Sequence, residues 1–157
     1  MRNFVIDNTG PAAPSITTPA ADTATNDTTP TLGGSAEAGS TVTLSDGGGV
    51  LGTTIASDAG VWAFTPINPL SQGAHAIVAT ATDPAGNAGG TSAVRTITID
   101  TGTPDAPVIT VPSSDLVTAD QYITISGTAE PNSAITILDG ASTIANATAN
   151  GAGAWSF

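Results

Sequence analysis

Apolar and polar residues alternate along most of this chain with a period of two. Val42 and Leu44 are separated and flanked by threonine and serine, and Ile97 and Ile99 are set among threonines in the same way. Successive side chains of a β-strand point to opposite faces, so this alternation predicts half-buried strands. No window of about 11 residues carries the apolar stripe of an amphipathic helix.

Clusters of glycine, proline, asparagine and aspartate interrupt the alternating segments at intervals of about 8–12 residues. The first hundred residues therefore predict seven strands, over residues 14–19, 30–36, 40–45, 50–56, 61–65, 74–82 and 91–99. Seven short strands at this spacing indicate an all-β fold, an immunoglobulin-like β-sandwich.

The chain repeats itself with a period of 93 residues. Residues 1–64 align with residues 94–157 without a gap, with 25 identities in 64 pairs, and Trp62 returns as Trp155. A fixed period indicates a tandem array of one structural unit. Tandem immunoglobulin-like sandwiches with a 93-residue repeat are therefore the predicted architecture.

The repeat also predicts the domain boundaries. Residues 1–7 align with the segment 94–100, so we expect them to be the last strand of a preceding repeat. Residues 8–100 are expected to form a complete domain. Residues 101–157 are expected to form the N-terminal part of a second domain that lacks its last two strands.

The charge of the chain is strongly one-sided. The net charge is −11, Arg2 and Arg95 are its two basic residues apart from one histidine, and there is no cysteine. Such a chain cannot neutralise phosphates, which argues against a nucleic-acid partner. Carboxylate oxygens instead suit hard cations such as calcium. No apolar run approaches the roughly 18 residues of a membrane span.

Several motifs together resemble the bacterial immunoglobulin-like repeats that build the extender regions of large surface adhesins. They are Asn26-Asp27-Thr28-Thr29-Pro30, Gly34-Ser35-Ala36-Glu37, Gly60-Val61-Trp62-Ala63-Phe64 and Asp83-Pro84-Ala85-Gly86-Asn87. The resemblance implies a structural stalk module of a bacterial cell-surface or secreted adhesin involved in cell adhesion and biofilm. Its partners would be neighbouring repeats of the same chain and calcium at the joints.

A calcium site is predicted at one end of each unit. An up-and-down strand count brings the loops after the second and sixth strands to the end where the linker enters. The predicted ligands are Asp7, Glu37, Asp83 and Asn87 in the first unit. Asp100 and Glu130 would form an incomplete copy in the second. The alternative is that these acids are solvated or cap turns through their own backbone.

Other residues give weaker signals. His75 is predicted to be a structural corner residue, because no nucleophile motif accompanies it and an enzyme is not expected. Trp62 and Trp155 are predicted to be core anchors and not sugar-stacking platforms. A second function remains open, namely a module that binds a glycan or a host protein, with residues 116–122 as the stretch that differs most between repeats.

Overall fold

The structure, a computed structural model, describes residues 6–157, so the strand predicted over residues 1–7 lies largely outside the described residues. The chain divides into two compact units, Met1–Thr101 (unit 1) and Gly102–Phe157 (unit 2). Within residues 6–157 every regular element is a β-strand, and no helix is long and apolar enough to cross a membrane.

The described part of unit 1, from residue 6 to residue 101, contains nine strands. They are β1 (Ser15–Thr18), β2 (Thr23–Thr25), β3 (Leu32–Ser35), β4 (Thr41–Asp46), β5 (Gly49–Ile55), β6 (Val61–Phe64), β7 (Gly73–Thr82), β8 (Ala88–Thr91) and β9 (Arg95–Ile99). One sheet has the order β1-β3-β6. The other has the order β2-β9-β7-β4-β5, with β8 also paired to β7.

The two sheets of unit 1 enclose a single apolar core. Val42, Leu44, Ile77 and Ile97 are fully buried, and Trp62 is 2% exposed. These side chains occupy the alternate positions that the period of two assigned to the inner face. Each buried aliphatic side chain of this size contributes about 1.5–3 kcal/mol to folding. The predicted immunoglobulin-like sandwich is confirmed.

Unit 2 contains five strands. They are β10 (Val108–Val111), β11 (Ser126–Thr128), β12 (Ala134–Asp139), β13 (Ser142–Thr148) and β14 (Ala154–Ser156). One sheet has the order β10-β11-β14, and β12 pairs with β13. Its core is smaller and consists of Ile135, Ile137, Ala149 and Trp155.

The 93-residue repeat is reproduced in the register of the strands. Gly34 pairs with Trp62 in unit 1, and Gly127 pairs with Trp155 in unit 2. The irregularity after Leu44 in β4 returns after Ile137 in β12. The repeat is therefore a repeat of backbone hydrogen bonding and not only of residue types.

Two features of unit 1 differ from the sequence prediction. Strand β2 was not predicted, because its three residues are too few to show a period and it is held by parallel pairing with β9. The strand predicted over residues 91–99 is shorter, because β9 begins at Arg95, and a separate strand, β8 (Ala88–Thr91), ends just before Ser92. The buried Ser92 hydroxyl accepts the Ala79 N–H at 2.9 Å and so takes the place of a strand carbonyl.

The close approach of β1 to β3 depends on glycine. A Cβ atom on Gly34 would lie 1.8 Å from the Ser15 carbonyl oxygen and 2.8 Å from Trp62 Cζ2. Gly127 would meet Val108 and Trp155 at nearly the same distances, 1.9 and 2.9 Å. The ring of each tryptophan therefore fits the core only if the facing residue has no side chain.

We predict that Gly34→Ala destabilises unit 1 by about 3 kcal/mol, because backbone and indole must both move to admit the methyl group. Urea unfolding followed by Trp62 fluorescence in a Trp155→Phe background measures the change. Gly49→Ala is the control, since its Cβ would meet only the Asp46 carbonyl at 3.4 Å. An equal effect of both substitutions would contradict this packing argument.

Candidate functional site

The loop between β7 and β8 brings Asp83 and Asn87 together. The Asn87 N–H donates to Asp83 Oδ1 at 2.8 Å, and the Asn87 side-chain amide donates to Asp83 Oδ2 at 2.8 Å. The two backbones also pair, since the Asp83 N–H donates to the Asn87 carbonyl at 3.1 Å. The loop is thus closed by its first and last residues, which carry the side chains predicted to bind metal.

The same asparagine holds the incoming linker. Asn87 Nδ2 donates a second hydrogen bond to the backbone carbonyl of Asp7 at 3.1 Å. The Asp7 carboxylate accepts the N–H of Thr9 at 3.0 Å and so caps its own turn. The predicted meeting of the linker with the loop of Asp83 is therefore present, and it is made through an amide group.

Asp83 is a buried acid, only 6% exposed. The hydrogen bond from the Asn87 side chain lowers the pKa of Asp83 below its usual value, with help from nearby backbone N–H groups, although burial opposes the shift. The carboxylate is therefore ionised at neutral pH. The two ion pairs found in residues 6–157 use Asp22 and Asp46, so neither compensates this charge.

Glu37 lies on the loop between β3 and β4, and its side chain is exposed. The loop neighbours that of Asp83, because a Cβ on Gly39 would lie 3.9 Å from Pro84 Cγ. The Glu37 carbonyl accepts the N–H and the hydroxyl of Ser40. This turn recurs at Glu130 and Ser133 in unit 2.

In the part of the chain that the structure describes, no three acidic, histidine or cysteine side chains form a group that could hold a metal ion. Asp7, Glu37 and Asp83 do not converge as three carboxylates. Asp83, the Asn87 amide and the Asp7 carbonyl are the members that meet. Calcium binding by the predicted set stays a prediction.

The two residues of the second predicted copy, Asp100 and Glu130, belong to different units. The Asp100 carboxylate accepts a hydrogen bond from the side chain of Gln72 in unit 1 at 3.1 Å. Glu130 of unit 2 is exposed and lines a cavity of about 390 Å³ together with Asp105. Asp105 was not among the predicted ligands, because its counterpart in the first repeat is Ala12 and the acids chosen were those that recur.

His75 links three elements near the start of β7. Its Nδ1 lies 2.6 Å from Asp46 Oδ2 and its Nε2 lies 2.8 Å from the Ser71 carbonyl. A carboxylate and a carbonyl only accept, so both hydrogen bonds form together when both ring nitrogens carry a hydrogen, that is, when the ring is an imidazolium. The bond to Asp46, and then that to Ser71, raises the pKa of His75, against the effect of burial.

His75 is therefore a corner residue that bonds back to the backbone, as predicted. The structure adds a partner, Asp46, that periodicity could not reveal, because the two residues are 29 positions apart. The Ala76 N–H also donates to Asp46 at 2.9 Å.

The two tryptophans lie inside the sandwiches. Trp62 is 2% exposed and Trp155 is 5% exposed, each in the apolar core of its unit. The prediction that they are core anchors is confirmed, and neither ring is available for stacking on a sugar.

Fold and repeat together define a class, tandem immunoglobulin-like β-sandwich repeats. Residues 9–101 match the bacterial Ig-like domain family, and the chain belongs to that family. Among curated proteins none matches the chain.

Solved structures add three similarities. The chain is 32% identical to a biofilm-associated protein BSP domain over 63% of its length, with a TM-score of 0.45. It is 25% identical over 95% to a tetra-tandem repeat in the extending region of a large adhesion protein, with a TM-score of 0.43. It spans 16% and 40% of these two chains.

The third similarity concerns the fold alone. Clostridium thermocellum CbhA fibronectin(III)-like modules are 16% identical, with a TM-score of 0.51, covering 90% of this chain and 75% of theirs. The similarity supports the sandwich architecture of the chain.

We predict that the bond between His75 and Asp46 makes the stability of unit 1 depend on pH. Because the pKa of His75 is raised on folding, the contribution is complete below about pH 6.5 and is lost as pH rises through the folded-state pKa. Asp46→Asn should lower the free energy of unfolding by about 1–3 kcal/mol near pH 6. It should also reduce the fall in the free energy of unfolding that the natural chain shows as pH rises toward about 9.

Unfolding by urea at a series of pH values between about 6 and 9 measures this dependence on either side of the ordinary histidine pKa. Asp139→Asn is the matched control, because Asp139 is the repeat counterpart of Asp46. A pH profile that Asp46→Asn leaves unchanged would disprove the assignment.

Proposed function

We propose that this chain is a structural extender module of a bacterial cell-surface or secreted adhesin. Membership of the bacterial Ig-like family and a gap-free repeat support an array in which each unit adds a fixed length. Strand β7 has ten residues, so it alone spans roughly 33 Å. An activity as an enzyme is not part of this proposal.

The observation that carries the proposal is the attachment of the incoming linker to the body of unit 1. Asn87 bonds to the Asp7 carbonyl and to the Asp83 carboxylate at the same time. A linker that is bonded to the next domain cannot rotate freely about its own backbone. Pro11 and Pro14 follow in the same segment and fix φ further.

We also propose that calcium stiffens this joint. Asp83 fits a cation, because it is a buried and ionised carboxylate that forms no ion pair in residues 6–157. Asp83 and the Asp7 carbonyl would hold the ion, and Asn87 would join them by turning its amide so that the oxygen replaces the nitrogen that now donates to both. Glu37 on the adjacent loop is a further candidate. Calcium, when bound, supplies positive charge and additional oxygen coordination.

The second hypothesis, a glycan-binding or host-protein-binding module, receives less support. Tyr122 and Val117 in the variable stretch are 92% and 100% exposed. The counterpart of this stretch in unit 1 includes β2, which is covered by pairing with β9. Unit 2 has no strand at that position. The lack of strand pairing there is enough to explain why Val117 and Tyr122 are exposed, without a role in binding.

We predict that calcium raises the melting temperature of unit 1. Extracellular calcium modules bind with dissociation constants of about 0.1–1 mM, so 10 mM calcium should stabilise by about 1.4–2.7 kcal/mol. For a domain of this size the shift is about 5 °C or more relative to chelator. Differential scanning calorimetry and titration calorimetry measure it.

Asp83→Asn should abolish the calcium-dependent shift, whereas Asp58→Asn, at an exposed acid on a different loop, should retain it. Glu37→Gln tests the fourth candidate by itself, and an unchanged shift removes Glu37 from the ligand set. Identical melting in calcium and chelator, with no binding heat, would refute calcium stiffening.

A further inference from the structure

The outgoing linker remains bound to unit 1 beyond the end of β9. The Asp100 N–H donates to the Thr25 carbonyl at 2.8 Å. The Thr101 N–H donates to Gln72 Oε1 at 3.0 Å, and the Thr101 hydroxyl donates to the same oxygen at 2.6 Å. The Gln72 amide nitrogen also donates to Asp100 Oδ1 at 3.1 Å.

The register of the sheet explains why Gln72 reaches this position. Gly73, the first residue of β7, pairs with Ile99, the last residue of β9. Gln72 therefore stands opposite Asp100, one step beyond the last backbone pair. Its side chain continues the ladder where no strand remains.

The backbone on which Gln72 stands is itself anchored. The preceding Leu70 is 7% exposed and its N–H donates to the Thr28 carbonyl at 2.8 Å. The Ser71 carbonyl accepts the Nε2–H of His75. The amide of Gln72 is thus presented from a loop whose two preceding residues, Leu70 and Ser71, are both hydrogen-bonded to other parts of unit 1.

We propose that Gln72 is a positioning residue that fixes the direction of the outgoing linker without any metal. This role of Gln72 rests on the proposed extender function, but the hydrogen bonds that carry it involve no calcium. A primary amide suits the task, because its oxygen accepts from Thr101 while its nitrogen donates to Asp100. Alanine supplies neither group, and glutamate supplies only the acceptor.

The hydrogen bonds of Gln72 with Asp100 and Thr101, called the Gln72 clasp below, have a counterpart at the other end of the unit. Asp7 and Asp100 occupy the same position of the 93-residue period. Asn87 bonds to the carbonyl of the first, and Gln72 bonds to the carboxylate of the second. One repeat position is therefore held by an amide side chain in both of its occurrences.

The test compares the whole chain with its Gln72→Ala and Gln72→Glu variants in the presence of chelator. Amide hydrogen exchange of Thr101 reports the clasp directly. Spin labels on Ala59→Cys and Ala141→Cys report the spread of distances between the units, and the chain has no cysteine that would compete for label. Gln121→Ala is the matched control, since Gln121 is the other glutamine and is exposed.

In Gln72→Ala we expect the Thr101 amide to exchange about tenfold faster, because its acceptor is lost. The distance distribution should broaden, while the melting temperature changes by about 2 °C or less because the groups are exposed. Gln72→Glu should also broaden the distribution at neutral pH, because its carboxylate repels that of Asp100, whereas Thr101 keeps an acceptor and should exchange more slowly than in Gln72→Ala. An unchanged exchange rate or an unchanged distribution in Gln72→Ala overturns the proposal.

These outcomes are separate from the calcium experiment. Failure of calcium to bind leaves the exchange of Thr101 in chelator unaffected, and failure of the clasp leaves the binding heat at Asp83 unaffected.

Discussion

The pairing of strand β7 is the interaction on which the rest of unit 1 depends. β7 pairs with β9 from Gly73 to Ile77, with β4 from Ile77 to Thr82, and with β8 at Thr80 and Thr82. Gln72 precedes its first residue and Asp83 follows its last. The side chains that hold the outgoing and the incoming linker are therefore joined by one continuous strand that is paired along its whole length.

The chemistry of unit 1 is divided between an uncharged interior and acidic loops. Its core contains aliphatic residues and one tryptophan, whereas the buried acid Asp83 lies in a loop beyond the end of β7. Arg95 carries the ion pair to Asp22, and Arg95 Nη2 also donates to the Ile16 carbonyl at 3.0 Å. Because the chain has so few basic residues, side-chain amide and backbone N–H groups donate the hydrogen bonds to the carboxylates of Asp83 and Asp100.

Sequence reasoning recovered the sandwich, the repeat and the loop of Asp83 and Asn87, because period-two patterning and loop sorting depend on local order. It missed β2 and the break at Ser92, since both are decided by pairing with strands distant in sequence. It placed Glu37 among the ligands from its loop position and its recurrence as Glu130. Gln72 gave no signal within its turn cluster, and only the register of β7 against β9 shows what it faces.

The repeat of strand register has a consequence for how such a chain can vary. The irregularity of β4, the glycine contacts of Gly34 and Gly60, and the turn at Glu37 recur at the same spacing of 93 residues. Duplication or deletion of one whole period, begun at any residue, leaves every remaining ladder in phase. Recombination between gene copies can therefore lengthen or shorten the array, and each new junction between domains has the same strand register as the existing one.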